Sequence, residues 1–394
     1  MTNEKRRIHW LGAGLASVPG IRRLAVKGYP LHLWERDLDR ARVAIRGLED
    51  RVNLCLADEG ALEKAVRAGD VVISMLPSAM HDETAKLCLG KDAHFISSSY
   101  TSPAMRAMNA SAKAKGLSFV NEVGLDPGID HLLAHLLIDD YRNSPEFDPQ
   151  NAHDFQSYCG GFPAIANDFK YKFSWSPLGV LKALKSPARA ILEGQTVDIA
   201  RPWDAVEDYP VDLNGMSETF QSYPNRDSLP FMAHYGIDDS WNVERFVRGT
   251  LRLDGWADAW RDIFKSLEAS DTTEDELKGL SDRLWADHAY QDGERDRVVL
   301  SVELKVTNQG ETVWHKAKSI AACGTAKSSA MARLVSITMS LAAEALWRGQ
   351  LDAGVITTPK DPATIRAWLE TIAENGDLVH HTDYMAEERM IAAE

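Results

Sequence analysis

A chain of 394 residues, 44% of them hydrophobic, can bury a large core, and its length suits two or three domains. The formal net charge of −14 argues against a nucleic-acid or anionic-membrane partner, because neutralising phosphates needs clustered Lys and Arg, but small anionic substrates need only a few local arginines. Cys55, Cys88, Cys159 and Cys323 lie far apart, with no CxxC and no His at metal-ligand spacing, so the expectation is reduced thiols in a cytoplasm and no metal site.

The first twenty residues, MTNEKRRIHWLGAGLASVPG, admit two readings. Two arginines before an apolar run describe a secretory signal peptide, yet His9 interrupts the run and Gly12, Gly14 and Ser17 dilute it, with no clear cleavage boundary. The alternative is a strand that ends in a dinucleotide-binding turn. From residue 8 to about 125 apolar runs recur: IHWL, LHLW, VNLCL, VVISML, HFISS and LSFVNEV, separated by helix-compatible stretches. That alternation predicts βαβ crossovers and an α/β fold, a Rossmann-type doubly wound parallel sheet. No apolar run approaches the ~20 residues of a membrane span.

Beyond Asp130 the texture changes. HLLAHLLIDDY predicts a helix, and TVDIARPW and AVEDYPVDL predict short strands of an α/β substrate domain. Residues 232–295, rich in Trp, predict a helical elaboration. RVVLSVELKVT and VWHKAKSIAACG predict a hairpin around NQGE, and AKSSAMARLVSITMSLAAEALWRG an amphipathic helix. The expected organisation is a dinucleotide domain over 1–128 with a C-terminal return at about 350–394, and a substrate domain over 129–231 and 296–349.

At the turn, Gly12 allows the tight bend and Gly14 the approach of backbone to pyrophosphate, with Ala13 and Leu15 beside them; Ser17 stands where a third glycine is usual. Glu35 ends the second predicted strand, where a carboxylate accepts hydrogen bonds from the adenosine ribose and favours NAD, while Arg36 could pair with the 2′-phosphate of NADP. Asp58 faces either the adenine edge or the helix it would cap. Met75, Pro77, Ser99 and Tyr100 follow the fourth and fifth strands, on loops that line the cleft of such a sheet; a serine at 98 or 99 could instead cap the next helix.

SSSYTSPAM (97–105), NEVGLDPGIDHL (121–132), SYCGGFPA (157–164), YKFSWSP (171–177), YPNRDS (223–228), RGTLR (248–252) and SSAMARLV (328–335) run in order over most of the chain. As a set they resemble the saccharopine dehydrogenase family, in particular its glutamate-forming saccharopine reductase branch. The resemblance implies NAD or NADP as cofactor, a small amino-acid substrate and a homodimer. It also implies substrate contacts at Ser99, Tyr100, Asp126, Arg226, Arg248, Gly249 and Thr250. Cofactor contacts are implied at Gly12 to Leu15, Glu35, Arg36, Met75, Leu125, Asp126, Pro127 and Ser174. Three departures stand out: Glu35 replaces a small polar residue, the family's NPLG before YKFSWS is Asn167-Asp168-Phe169-Lys170 here, and Leu178 stands where an arginine is common.

Saccharopine is a secondary amine with three carboxylates, and Arg226 and Arg248 can each hold one in a bidentate fork. Asp126, Cys159 and Tyr100 are the candidates for proton handling, with His131 behind them; Asp126 suits the amine or iminium, whose positive charge a carboxylate stabilises. Two other readings compete: a carboxynorspermidine or carboxyspermidine synthase-type condensation of aspartate semialdehyde with a diamine, and a dinucleotide-binding sensor without catalysis.

Overall fold

The computed structural model describes residues 6–58, 60–268 and 273–386, and the chain divides into two compact units. One runs to Leu132 and takes in Met331–Asn375; the other comprises Leu133–Ala330 and resumes at Gly376.

In the first unit β1 (Ile8–Leu11), β2 (Leu31–Glu35), β3 (Val52–Leu56), β4 (Val71–Ser74), β5 (His94–Ser97) and β6 (Ser118–Val120) pair in parallel with β15 (Gly354–Ile356), in the order β15-β6-β5-β4-β1-β2-β3. This is the doubly wound arrangement with one added edge strand. β1 and β4 are buried at every position, which explains their unbroken apolar runs: a central parallel strand is covered on both faces.

The helix Val18–Val26 lies close against Trp10 and the helix Ala330–Trp347. A methyl group on Gly20 would stand 2.2 Å from the Ser336 carbonyl oxygen and 2.6 Å from the Trp10 ring. The close approach that a third glycine of the turn usually allows is thus made at Gly20, three residues after Ser17. Beside it Glu344, buried, accepts from Arg23 at 2.6 Å and Lys27 at 3.0 Å. Burial alone would raise the Glu344 carboxyl; its bonds and charge contacts with Lys27 and Arg23 outweigh that and lower it. Ala330–Trp347 is long and apolar enough to cross a membrane, but it is 83% buried as a core helix.

The second unit is built on a mixed sheet in the order β10-β11-β12-β7-β13-β14-β16, with β8 and β9 attached to β12. Its strands are β7 (Ala152–Pro163), β8 (Ala188–Leu192), β9 (Gln195–Ile199), β10 (Glu207–Asp212), β11 (Ser217–Pro224), β12 (Asn242–Leu253), β13 (Asp296–Asn308), β14 (Glu311–Cys323) and β16 (Val379–Asp383). β13 and β14 form the expected hairpin, closed by Gln309 and Gly310, both at positive φ. Helices Trp256–Ala259, Arg261–Glu268 and Glu274–His288 bury Trp256, Trp260, Phe264 and Leu284 against Tyr171, Phe173 and Leu181.

Three features depart from the sequence reading. β12 runs through the stretch expected to be helical, because its alternation is broken by Arg248, Gly249 and Arg252 although the strand is central. Arg252 is buried by lying over the rings of Tyr171, Tyr223 and Trp256 at 4.9 to 5.5 Å and donating to the Tyr223 hydroxyl at 2.8 Å. The helix Ala330–Trp347 belongs with the first unit almost from its start rather than with the substrate domain, held there by contacts such as Gly20 N–H to Ser336 Oγ at 2.8 Å. GVITTP does return to the first sheet as β15, but the chain then leaves again, and β16 pairs antiparallel with β14.

Candidate active site

The phosphate turn follows β1 directly. Gly12 adopts φ +93°, and a methyl group there would stand 3.4 Å from the Met75 carbonyl oxygen; Ala13 is buried, and Gly14 and Leu15 are exposed with open space where a Gly14 side chain would be. This cradle fits a dinucleotide pyrophosphate laid across a glycine backbone. Met75 N–H donates to Leu11 O at 3.0 Å, so β4 ends beside the turn.

Glu35 sits differently from its expected role. Its Oε2 accepts from Ala13 N–H at 2.8 Å, and its Oε1 from the N–H groups of Arg36 at 2.8 Å and Asp37 at 3.3 Å. The carboxylate assigned to the ribose therefore serves first as an acceptor for the turn's own main chain. Glu35, Arg36, Asp37 and Arg40 line a shallow depression of about 380 Å³. Asp37 caps the helix Leu38–Ala44, and Arg40 lies 3.8 Å from its carboxylate. Asp58 is exposed, and the helix Ala61–Ala65 is entered through Gly60 without a side-chain cap, so Asp58 does not cap it.

Beyond β5 the chain bends through Ser99 and Tyr100, both partly exposed. The next helix, Pro103–Ala107, is capped by Ser102, whose Oγ accepts from Met105 N–H at 2.9 Å; neither Ser98 nor Ser99 has that duty. Beyond β6, Leu125, Asp126 and Pro127 form a tight loop with a cis Asp126–Pro127 bond, and only Asp126 of the three is partly exposed. The Tyr100 hydroxyl donates to Asp126 Oδ1 at 3.0 Å, joining two of the three proton-handling candidates. Cys159, the third, belongs to the second unit.

Two residues in this region escaped assignment from sequence, Glu122 and Asp130. Glu122 Oε1 accepts from Thr101 N–H at 2.9 Å and Thr101 Oγ at 2.7 Å, and its Oε2 lies 3.1 Å from His131 Nε2. Burial alone would raise its carboxyl, but His131, by hydrogen bond and charge, and Thr101 hold it well below the usual range. Their signal was only that polar residues fill the NEVGLDPGIDHL motif.

In the second unit β7, β12 and β11 bring the remaining residues together. Thr250 on β12 stands level with Cys159 on β7 and Tyr223 on β11. Arg248, two residues earlier and buried, places its guanidinium 3.9 Å from the Phe231 ring centroid, a cation–π seat. Its carbonyl accepts from Asn225 N–H at 3.0 Å, and its N–H donates to Ser228 Oγ at 2.9 Å, which draws the Asn225–Ser228 turn to the strand. That turn carries Arg226 at φ +62°, exposed, with Arg226 O accepting from Arg189 N–H and Asp227 paired with the Arg189 guanidinium at 2.6 Å. Gly249 pairs with Tyr158 and Pro224. Ser174, buried, lies apart from this cluster in the chain, just before the helix Pro177–Lys185.

Comparison with known proteins agrees with this architecture. Residues 8–120 match the model of the saccharopine dehydrogenase NADP binding domain, and residues 124–377 that of the saccharopine dehydrogenase C-terminal domain. The chain is 28% identical over 421 aligned positions to saccharopine dehydrogenase (NADP+, L-glutamate-forming) of Pyricularia oryzae, covering 88% of this chain and 92% of that one. It is 35% identical to the mitochondrial alpha-aminoadipic semialdehyde synthase of Mus musculus over 52% of this chain, which spans only 22% of that longer protein. Apo saccharopine dehydrogenase (L-Glu forming) from Saccharomyces cerevisiae superposes with a TM-score of 0.78 at 25% identity, covering 96% of this chain and 99% of that one. The chain belongs to the saccharopine dehydrogenase family of NAD(P)-dependent oxidoreductases.

Proposed function

We propose that the chain oxidises saccharopine at its CH–NH bond to L-glutamate and aminoadipate semialdehyde, or runs the reverse reductive condensation, with NADP as the preferred dinucleotide. The observation that supports the substrate reading is that the Asn225–Ser228 turn, which carries Arg226, is tied to the main chain of Arg248 within β12. Two guanidiniums suit a ligand with three carboxylates in an otherwise acidic protein.

A bound nicotinamide supplies the hydride acceptor. Asp126 holds the positive charge on the substrate nitrogen as the adjacent carbon loses its hydride, which leaves a C=N bond. Water adds to that carbon, and the C–N bond breaks with the proton passing to nitrogen, giving an amine and an aldehyde. The Tyr100 hydroxyl, donating to Asp126, fixes which carboxylate oxygen faces the nitrogen and offers a path for a proton.

The NADP reading is supported by the relatives' printed cofactor and by the depression at Arg36 and Arg40. With three amides bound to Glu35, its charge is partly neutralised where a 2′-phosphate would repel it, and two guanidiniums stand ready. The test is purified protein with saccharopine and either NADP+ or NAD+, following reduced nicotinamide. Arg40→Ala should raise KM for NADP+ by roughly tenfold and leave NAD+ unchanged, the size of one lost charge-assisted hydrogen bond. No turnover with either dinucleotide refutes the substrate reading, and equal effects of Arg40→Ala on both refute the cofactor reading.

A further inference from the structure

Glu122 is a non-glycine residue at φ +59°, a backbone region that costs on the order of 1–3 kcal/mol and persists only where its surroundings impose it. Those surroundings are specific. Glu122 N–H donates to Ser99 O at 3.1 Å, and its carboxylate takes both donors of Thr101, so one residue grips the chain immediately before and immediately after Tyr100.

The other carboxylate oxygen leads to His131, fully buried, whose Nδ1 lies 3.4 Å from Asp130 Oδ2. Asp130 Oδ1 in turn accepts from Gly128 N–H at 2.6 Å, and Gly128 packs directly on Gly124, whose N–H donates to Pro127 O at 2.9 Å. The loop so closed is the one that presents Asp126. A carboxylate faces each nitrogen of the His131 ring. Buried groups linked in this way have few alternative arrangements, since any shift leaves a charge unpartnered.

We infer that Glu122, His131 and Asp130 are positioning residues, a buried strut of linked polar side chains that holds Tyr100 against Asp126. The strut touches neither substrate nor cofactor; it acts through the 3.0 Å contact between Tyr100 and Asp126. The catalytic consequence rests on the proposed saccharopine oxidation, whereas the mechanical one does not.

Two measurements on the full chain test it. The isosteric Glu122→Gln should leave backbone amides less protected than in wild type in both segments at once, with faster exchange across residues 99–101 and 124–128. In steady state it should lower kcat for saccharopine by about tenfold and leave KM for NADP+ within about twofold, because orientation and not dinucleotide binding is lost. In a Tyr100→Phe background the same substitution should change kcat by less than about twofold, since both act on one contact. If Glu122→Gln does not fold, Thr101→Val removes one hydroxyl and no charge and carries the same comparison. Exchange unchanged in the 124–128 loop, or losses that multiply in the double variant, overturns the strut. If wild type turns over no saccharopine, the functional reading fails and the exchange measurement alone decides.

Discussion

Gly20→Ala should disrupt the first unit's packing where the helix Val18–Val26 meets the helix Ala330–Trp347. The added methyl would stand 2.2 Å from the Ser336 carbonyl oxygen and 2.6 Å from the Trp10 ring, and both neighbours are fully buried, so neither can swing into solvent. Overpacking of this kind costs about 1–3 kcal/mol. Moving the helix Val18–Val26 outward also stretches Gly20 N–H from Ser336 Oγ, now at 2.8 Å, and a buried donor left without its acceptor adds about 1–2 kcal/mol. Alanine's better helix propensity returns about 1 kcal/mol. The net loss is about 1–4 kcal/mol, read as a lower urea midpoint at unchanged slope, by far-UV circular dichroism and tryptophan fluorescence. Because the same helix follows the phosphate turn, dinucleotide affinity measured by titration should fall with it. A midpoint corresponding to wild-type stability within about 0.5 kcal/mol, with unaltered affinity, would refute the argument that this contact is unyielding.

Lys170 adopts φ +58°, where the family pattern NPLG has glycine, so Lys170→Gly should stabilise by up to about 1 kcal/mol, read as a higher melting temperature; a lower one counts against strain there. His94 is lowered to about 4 by burial and then by Arg6, and its Nδ1 accepts from Ser118 N–H at 3.0 Å. Its folded value lies below the ordinary 6.5, so its contribution is complete above about pH 6.5 and is lost as pH falls toward about 4. Urea midpoints at neutral pH and in that window should differ by about 2 kcal/mol more in wild type than in His94→Gln, and parallel profiles would dismiss the effect. Glu35→Gln should weaken NAD+ and NADP+ together, by roughly tenfold, since it loosens the turn they share. A loss confined to NAD+ would restore Glu35 to the ribose.

The parallel sheet was legible because β1 to β6 are short apolar runs, the central β1 and β4 buried on both faces, and the Gly12–Gly14 turn because it follows the first of them. Tyr100 and Asp126 were legible through motifs, although nothing in the spacing showed that they touch. β12 was hidden because Arg248 and Arg252 are polar letters in a buried strand, satisfied by Phe231, Tyr223, Tyr171 and Trp256 from elsewhere in the chain. The meaning of Gly20 depends on Ser336, and that of Glu122 on a backbone angle and on His131 and Thr101. Each is a property of a partner, and a local window carries no trace of it.

A ribosome delivers this chain in an order that neither unit can use immediately. The first six strands emerge early, but β15 and the helix Ala330–Trp347, which close their sheet and cover Gly20, come only after nearly all of the second unit. The second unit in turn waits for β16, made after the first has received its last helix, Pro362–Ala373. Synthesis at about 5–20 residues per second leaves the early strands with an uncovered apolar face for many seconds, long on the scale of collapse. No single cut in the chain releases either unit whole, so a fragment ending near Leu132 carries the phosphate turn but lacks the helix that seats it.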